Sequence, residues 1–257
     1  MTERDLLGRI LHGSRDATVE FIRRWNRLEI SGNLSTPTEP VLFVGNHGFG
    51  GIFDLNGVAA WAALQKMQLD RPVTILVHEV TWTLGLGAGA ERIGGQKASA
   101  DAVRQAFADG HHILVFPGGD LDAFKSHRNK DRIVFGGRSG FARLAMECGV
   151  PIVPIVTAGA GDSLYVISDG QGLARALGVD KSLRLKALPI SLSAPWGLSI
   201  GLVGFLPYLP LPAKLRTRVL SPLVPADGES AEGFATRVET AMQNALSTLV
   251  GQKKAIR

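Results

Sequence analysis

Short apolar runs alternate along this chain with longer stretches in which apolar residues recur at helical spacing. The runs Val41–Val44, Val73–Val77, Ile113–Phe116 and Ile152–Val156 are each bounded by Gly, Pro or charged residues, and they read as buried strands. Between and after them, Leu55–Gln65, Ser99–Ala108, Gly140–Glu147 and Ala231–Val250 carry the periodicity of amphipathic helices. Strands alternating with helices predict an α/β fold: a single domain with a largely parallel central sheet flanked by helices on both faces. No internal repeat or low-complexity linker marks a further domain. The first residues follow a different pattern. Over residues 4–28, Leu7, Ile10, Leu11, Phe21, Ile22, Trp25 and Leu28 fall near one helical face, and Arg4, Arg9, Arg15, Arg23, Arg24 and Arg27 supply the polar remainder. The chain therefore divides into a basic amphipathic helix over 1–30 and a folded domain over 31–257. That helix suits packing on the domain and binding at a membrane surface equally well.

Composition narrows the partners. The 257 residues are 45% hydrophobic and 20% charged, which is enough to bury a substantial core. The 28 Lys and Arg outnumber the 23 Asp and Glu, for a net charge of +5, so an anionic partner is expected: phosphate, CoA, nucleic acid or an anionic bilayer. No nucleic-acid-binding module is recognisable, and few aromatics accompany the basic residues, so nucleic acid is set aside. Cys148 stands alone, which excludes an intramolecular disulfide, removes any metal-ligand Cys pair and suits a reducing compartment. The opening MTERDLLGRI is interrupted by charge and does not read as a signal peptide, so cytoplasmic residence is the expectation.

One segment complicates that expectation. Between Lys186 and Lys214 there is no charged residue, and the stretch is long enough to cross a bilayer. Pro189, Pro195, Pro207, Pro210 and Pro212 argue against a lipid-exposed helix. The segment 187–213 reads instead as interfacial, acyl-lining or core, with Trp196, Phe205 and Tyr208 as the candidate membrane or acyl contacts.

Two loops carry chemistry. In VLFVGNHGFGGIFDLNG a buried strand ends at Gly45, His47 follows in a glycine-rich turn, and Asp54 stands at the start of a helix. Loops beyond the carboxyl ends of strands form the ligand crevice of open α/β sheets. A carboxylate there can accept the Nδ1–H bond of the imidazole, fix its tautomer and leave Nε2 as a base, although a structural His beside an N-capping Asp54 has the same spacing. In the second loop, Pro117-Gly118-Gly119 follows a strand, and Lys125, Arg128, Lys130 and Arg132 come after the acids Asp120 and Asp122. Gly118 and Gly119 with Lys125 and Arg128 are candidates for holding phosphate; the alternative is a solvated basic loop. A strand-end pair, His78-Glu79, reads as structural, and His111 and His112 belong to the opposite edge of the sheet.

These blocks together resemble the glycerolipid acyltransferase superfamily, which includes lysophosphatidate and glycerol-phosphate acyltransferases and their diacylglycerol-acyltransferase-like relatives. Asn46-His47 with Asp54 is similar to the family's His…Asp signature, VFPGGDLDAFK to its Phe-Pro-(Glu/Gly)-Gly block, and GVPIVPIVTAGAG to the strand block that follows. The Pro-Gly-Gly form, with PWGL and LPLPA, resembles most the transmembrane-protein-68-like and diacylglycerol-acyltransferase-like branch. There are two departures. Six residues, GFGGIF, separate His47 from Asp54, more than in the common signature, and the family's substrate-phosphate Arg is matched only loosely, by Arg92 or Lys97 in GAGAERIGGQKAS. A neutral acceptor such as a monoacyl- or diacylglycerol thus stays open beside a phosphorylated one. The resemblance implies that His47 acts as general base with Asp54. It implies acyl transfer from acyl-CoA or acyl carrier protein to a lipid hydroxyl, at a membrane surface, with no metal and no further cofactor. The rival is a lipid-binding or scaffold protein of the same fold whose lengthened loop no longer catalyses transfer. A serine hydrolase or a nucleotide-binding protein fits less well, because no Gly-x-Ser-x-Gly elbow, dinucleotide fingerprint or P-loop is complete.

Overall fold

The computed structural model describes residues 19–48, 54–77, 95–179, 186–201 and 208–255, together with Ala17. Its main sheet has seven strands: β1 (Glu29–Gly32), β2 (Leu42–Gly45), β3 (Val73–Val77), β4 (Gly95–Lys97), β5 (His112–Val115), β6 (Ile152–Ala158) and β10 (Arg216–Val219). They lie in the order β1-β10-β6-β2-β5-β3-β4. From β6 to β4 all neighbours are parallel; β10 joins β6 antiparallel, and β1 pairs parallel to β10. The expected α/β architecture is therefore present, as one domain with a mostly parallel sheet.

The apolar runs were legible as strands because both faces of these strands are covered. All four residues of β2 and all seven of β6 are buried. On one face lies α1 (Leu55–Met67), whose Ala60 and Ala63 approach the sheet closely and whose Leu64 and Met67 pack with Val41, Phe43 and Ile155. On the other lie α2 (Ala100–Ala108), α4 (Gly140–Glu147) and α6 (Ala231–Ala255). The stripe Phe234, Val238, Met242, Leu246 and Leu249 of α6 is buried, as its helical spacing predicts. Among the described residues no helix is long and apolar enough to cross a membrane.

Two regions were not foreseen. The edge strand β1 and its neighbour β10 are polar in sequence, and Glu29 links them by ion pairs with Lys214 and Arg216. The uncharged segment 187–213, where described, is extended: β8 (Ile190–Ser193) and β9 (Gly197–Ile200) form a small three-stranded antiparallel sheet with β7 (Tyr165–Ser168), in the order β7-β8-β9. The short helix α5 (Gln171–Ala176) follows β7. Of the amino-terminal amphipathic pattern, residues 19–25 are described and helical. Ile22 is buried against Leu55, Ala59, Ala160 and Leu215, while Phe21 and Trp25 stack on each other and stay exposed.

Candidate active site

Strands β6, β2 and β5 are neighbours and parallel, so the loops leaving Ala158, Gly45 and Val115 open on one edge of the sheet. His47 stands there, three-quarters or more enclosed, with its ring 4.8 Å from that of Phe116 at the end of β5. Gly45 makes this possible: a Cβ at that position would lie 2.4 Å from the Phe116 ring. Asp54 is the N-cap of α1, and its two oxygens divide the work. Oδ1 accepts the backbone N–H of Asn56 at 2.9 Å, and Oδ2 lies 2.5 Å from His47 Nδ1. Asp54 is thus helix cap and histidine partner at once, and the six-residue spacer does not prevent the pairing. His47 Nε2 has no hydrogen-bond partner among the described residues.

The imidazole is held through its own peptide. The His47 N–H donates to Asp122 Oδ2 at 2.7 Å, and the His47 carbonyl accepts from Lys125 Nζ at 2.9 Å. Asp122 and Lys125 are themselves a buried ion pair, 2.7 Å apart, and Asp122 Oδ1 also accepts the Val134 N–H at 3.0 Å. A charge pair this deep needs such saturation of its lone pairs and protons to offset desolvation. Next to it, Asn46 exchanges two hydrogen bonds with the Thr157 backbone on β6, at 2.9 and 3.1 Å, and Asn56 donates to the Asn46 carbonyl at 2.9 Å. Both flanks of His47 are therefore tied to the sheet and to α1.

The glycines of the second loop serve this packing more than they expose donors. A Cβ on Gly118 would fall 2.3 Å from Asp122 Cβ, and Gly119 has φ +50°. They open α3 (Gly119–Ala123), and the Gly119 N–H is turned to the Phe116 carbonyl at 3.2 Å. Arg138 donates to the carbonyls of Pro117 and Gly118 and pairs with buried Asp120 at 2.8 Å. Lys125, expected to face phosphate, is buried in the clamp just described, although it still lines a cleft with Gly48, His127, Lys130 and Gly161. Lys130 in that cleft pairs with Asp162 at 2.6 Å and meets His127 Nε2 at 3.0 Å. Arg128 is exposed on the short turn His127–Asn129 and forms no ion pair among the described residues. Arg92 and Phe205 lie outside the described residues, as do His78 and Glu79. Trp196 is exposed in the turn between β8 and β9. Tyr208 is buried with Phe124, Leu164 and Val166, which removes it from a membrane surface and leaves an interior, lining place. Burial pushes its phenol well up, the Asp54 charge acts in the same direction, and a hydrogen bond with Ser163 opposes them.

With this geometry in view, the profile of the acyltransferase family matches residues 27–158, just over half of the chain and the span that holds His47, Asp54, Asp122 and Lys125. The chain belongs to the acyltransferase family. An uncharacterised Mycobacterium tuberculosis protein is 28% identical over 82% of this chain and 56% of its own length. A "DGAT1/2-independent enzyme synthesizing storage lipids" of Gallus gallus is 24% identical over 92% of this chain and 65% of its own length. The chain thus spans little more than half the length of the mycobacterial relative. The crystal structure of the 1-acyl-sn-glycerophosphate (LPA) acyltransferase PlsC from Thermotoga maritima shares the fold, with a TM-score of 0.52 at 14% identity, over 97% of this chain and 84% of that one. The family motifs led to His47 and Asp54. Asp122, Asp120 and Arg138 went unread as site residues, because a loop mixing acids and bases shows no pairing until it folds.

Proposed function

We propose that this acyltransferase moves a fatty acyl group from acyl-CoA, or from acyl carrier protein, to the hydroxyl of a glycerolipid or lysophospholipid-like acceptor. The observation that carries this reading is the His47 Nδ1–Asp54 Oδ2 contact at the crevice edge, with Nε2 unpartnered among the described residues. Nε2 takes the acceptor proton as the hydroxyl oxygen attacks the thioester carbonyl, and Asp54 stabilises the imidazolium. Collapse of the tetrahedral intermediate breaks the C–S bond, and the imidazolium returns its proton to the thiolate. This step draws on no metal and no redox cofactor. The cleft beside Gly48, lined by Lys125, His127 and Lys130, is the candidate for the phosphate of donor or acceptor. Its Lys charges are already compensated by Asp122 and Asp162, so it fits hydrogen bonding to a phosphate better than long-range attraction. Peripheral attachment at the cytoplasmic membrane face belongs to the same reading. Purified protein incubated with labelled long-chain acyl-CoA and a lipid extract should form a labelled acyl lipid together with free thiol. Absence of transfer from both acyl-CoA and acyl carrier protein, to phosphorylated and neutral acceptors alike, would defeat it.

A further inference from the structure

The small sheet is built inside out. In a sheet with one wet face, alternation sends apolar side chains inward and polar ones to water. In β8 the inward residues are Ser191 and Ser193, whose buried hydroxyls have no hydrogen-bond partner among the described residues, while Leu192 between them is 53% exposed. Tyr165 lies opposite Leu192, Leu192 opposite Leu198, and Ile190 opposite Ile200. Tyr165, Leu192, Leu198 and Ile200 therefore share a face, with Ile167 exposed at the bulge in β7, and each is half exposed or more. Folding alone gives no reason to leave leucines wet and bury unpaired serines.

The chemistry of the face identifies what covers it. Neither β7 nor the stretch from β8 through β9 carries a charged residue, so nothing within it would have to be neutralised on entering hydrocarbon. Trp196 at the β8–β9 turn and Tyr165 on β7 are the aromatic types that settle at headgroup level. A cation stands near the rim: the turn His127–Asn129 packs its His127 ring 4.8 Å from that of Tyr165, and Arg128 on that turn is exposed and forms no ion pair among the described residues. An apolar centre, aromatic flanks and an exposed rim cation complement an anionic bilayer surface. We infer that the exposed face of the β7-β8-β9 sheet docks on a lipid bilayer, with Leu192, Leu198 and Ile200 in the acyl-chain layer and Arg128 at anionic headgroups. His127, on the same turn, lines the cleft next to Gly48, so docking in this way brings the bilayer to the mouth of that cleft. The further step, that a lipid acceptor passes along β7 to His47, rests on the acyl-transfer reading; the docking itself does not.

The test is co-sedimentation of the full chain with phosphatidylcholine vesicles, with and without phosphatidylglycerol, in the absence of substrate. Leu198→Ser with Ile200→Ser should keep the parent melting temperature and lower partitioning onto both vesicles at least about tenfold. Arg128→Ala should lower partitioning about fivefold on the anionic vesicles alone, an effect that salt erases in the parent. His47→Ala should sediment like the parent, so transfer retained in that variant would count against the acyl-transfer reading only. A double variant that sediments like the parent would overturn the docking face. So would a lipid-free parent dimer that the double variant dissolves to monomers, since a second copy would then be the occupant.

Discussion

Strand β6 of the main sheet buries all seven of its residues, Ile152–Ala158, whereas strand β8 of the small sheet turns Ser191 and Ser193 inward and Leu192 outward. The main sheet also contains buried polar groups, and at its carboxyl edge they are densely paired, with Asn56 Oδ1 an exception among the described residues. Asn46 bonds to Thr157, and Asp122 bonds to His47, Lys125 and Val134. In the small sheet the buried hydroxyls are orphans and the apolar side chains are in water. Around His47 the pairing is thus made largely within the chain, with Asn46, Asp122 and Lys125 holding the His47 peptide. The other is arranged for something outside the chain.

Stability measurements can break this contrast. The largest effect is expected at the clamp: Asp122→Ala strands Lys125 as an unpaired buried charge and should cost about 3–5 kcal/mol in denaturant unfolding. A loss near zero would show that the pair does not hold the crevice. In the small sheet the sign should reverse. Ser191→Ala and Ser193→Ala each remove an unpartnered buried hydroxyl and should raise stability by about 1 kcal/mol, whereas destabilisation of that size would mean the hydroxyls are satisfied.

A smaller effect is expected at the far edge of the main sheet. His112 is fully buried, accepts the Val41 N–H on Nδ1 at 3.2 Å, and leaves Nε2 without a partner. Burial foremost, and then the charge of Arg71, lowers its pKa below 6.5. As pH falls through about 6.5 the unfolded chain takes up a proton that the folded site resists, so stability drops on the acid side and is unaffected well above it. Melting temperature followed from about pH 8 to pH 5 should show this slope, and His112→Gln should flatten it. The smallest change belongs to the exposed face, where Leu198→Ser should alter unfolding by less than about 0.5 kcal/mol.

The same contrast decides what could be read from the sequence. Strands β2, β5 and β6 are apolar runs because both their faces are covered, β3 is a similar run that stays partly exposed, and α1, α2, α4 and α6 show helical spacing because each has one wet side. β1 and β10 are invisible in sequence: EISG and RTRV are polar, and they pair with each other from opposite ends of the chain, with Glu29 meeting Lys214 and Arg216. The segment 187–213 showed its lack of charge but not its strands, since serines and leucines trade their usual faces there. At the site, His47 and Asp54 were legible because a strand end, a glycine-rich turn and a helix start bracket them. In sequence Lys125 reads as a free phosphate ligand, because its partner Asp122 looks like one more charge in a solvated loop. Tyr208, grouped by sequence with Trp196, parts from it by packing beneath the small sheet.

The most direct measurement is thiol release from a long-chain acyl-CoA, with a lipid acceptor present, by the parent and by His47→Ala. Loss of the base should lower the rate by at least about a hundredfold, with cooperative unfolding and vesicle binding unchanged. Asp54→Asn is a weaker second variant, because it also alters the cap of α1. Acyl transfer by His47→Ala at the parent rate would contradict general-base catalysis at this crevice.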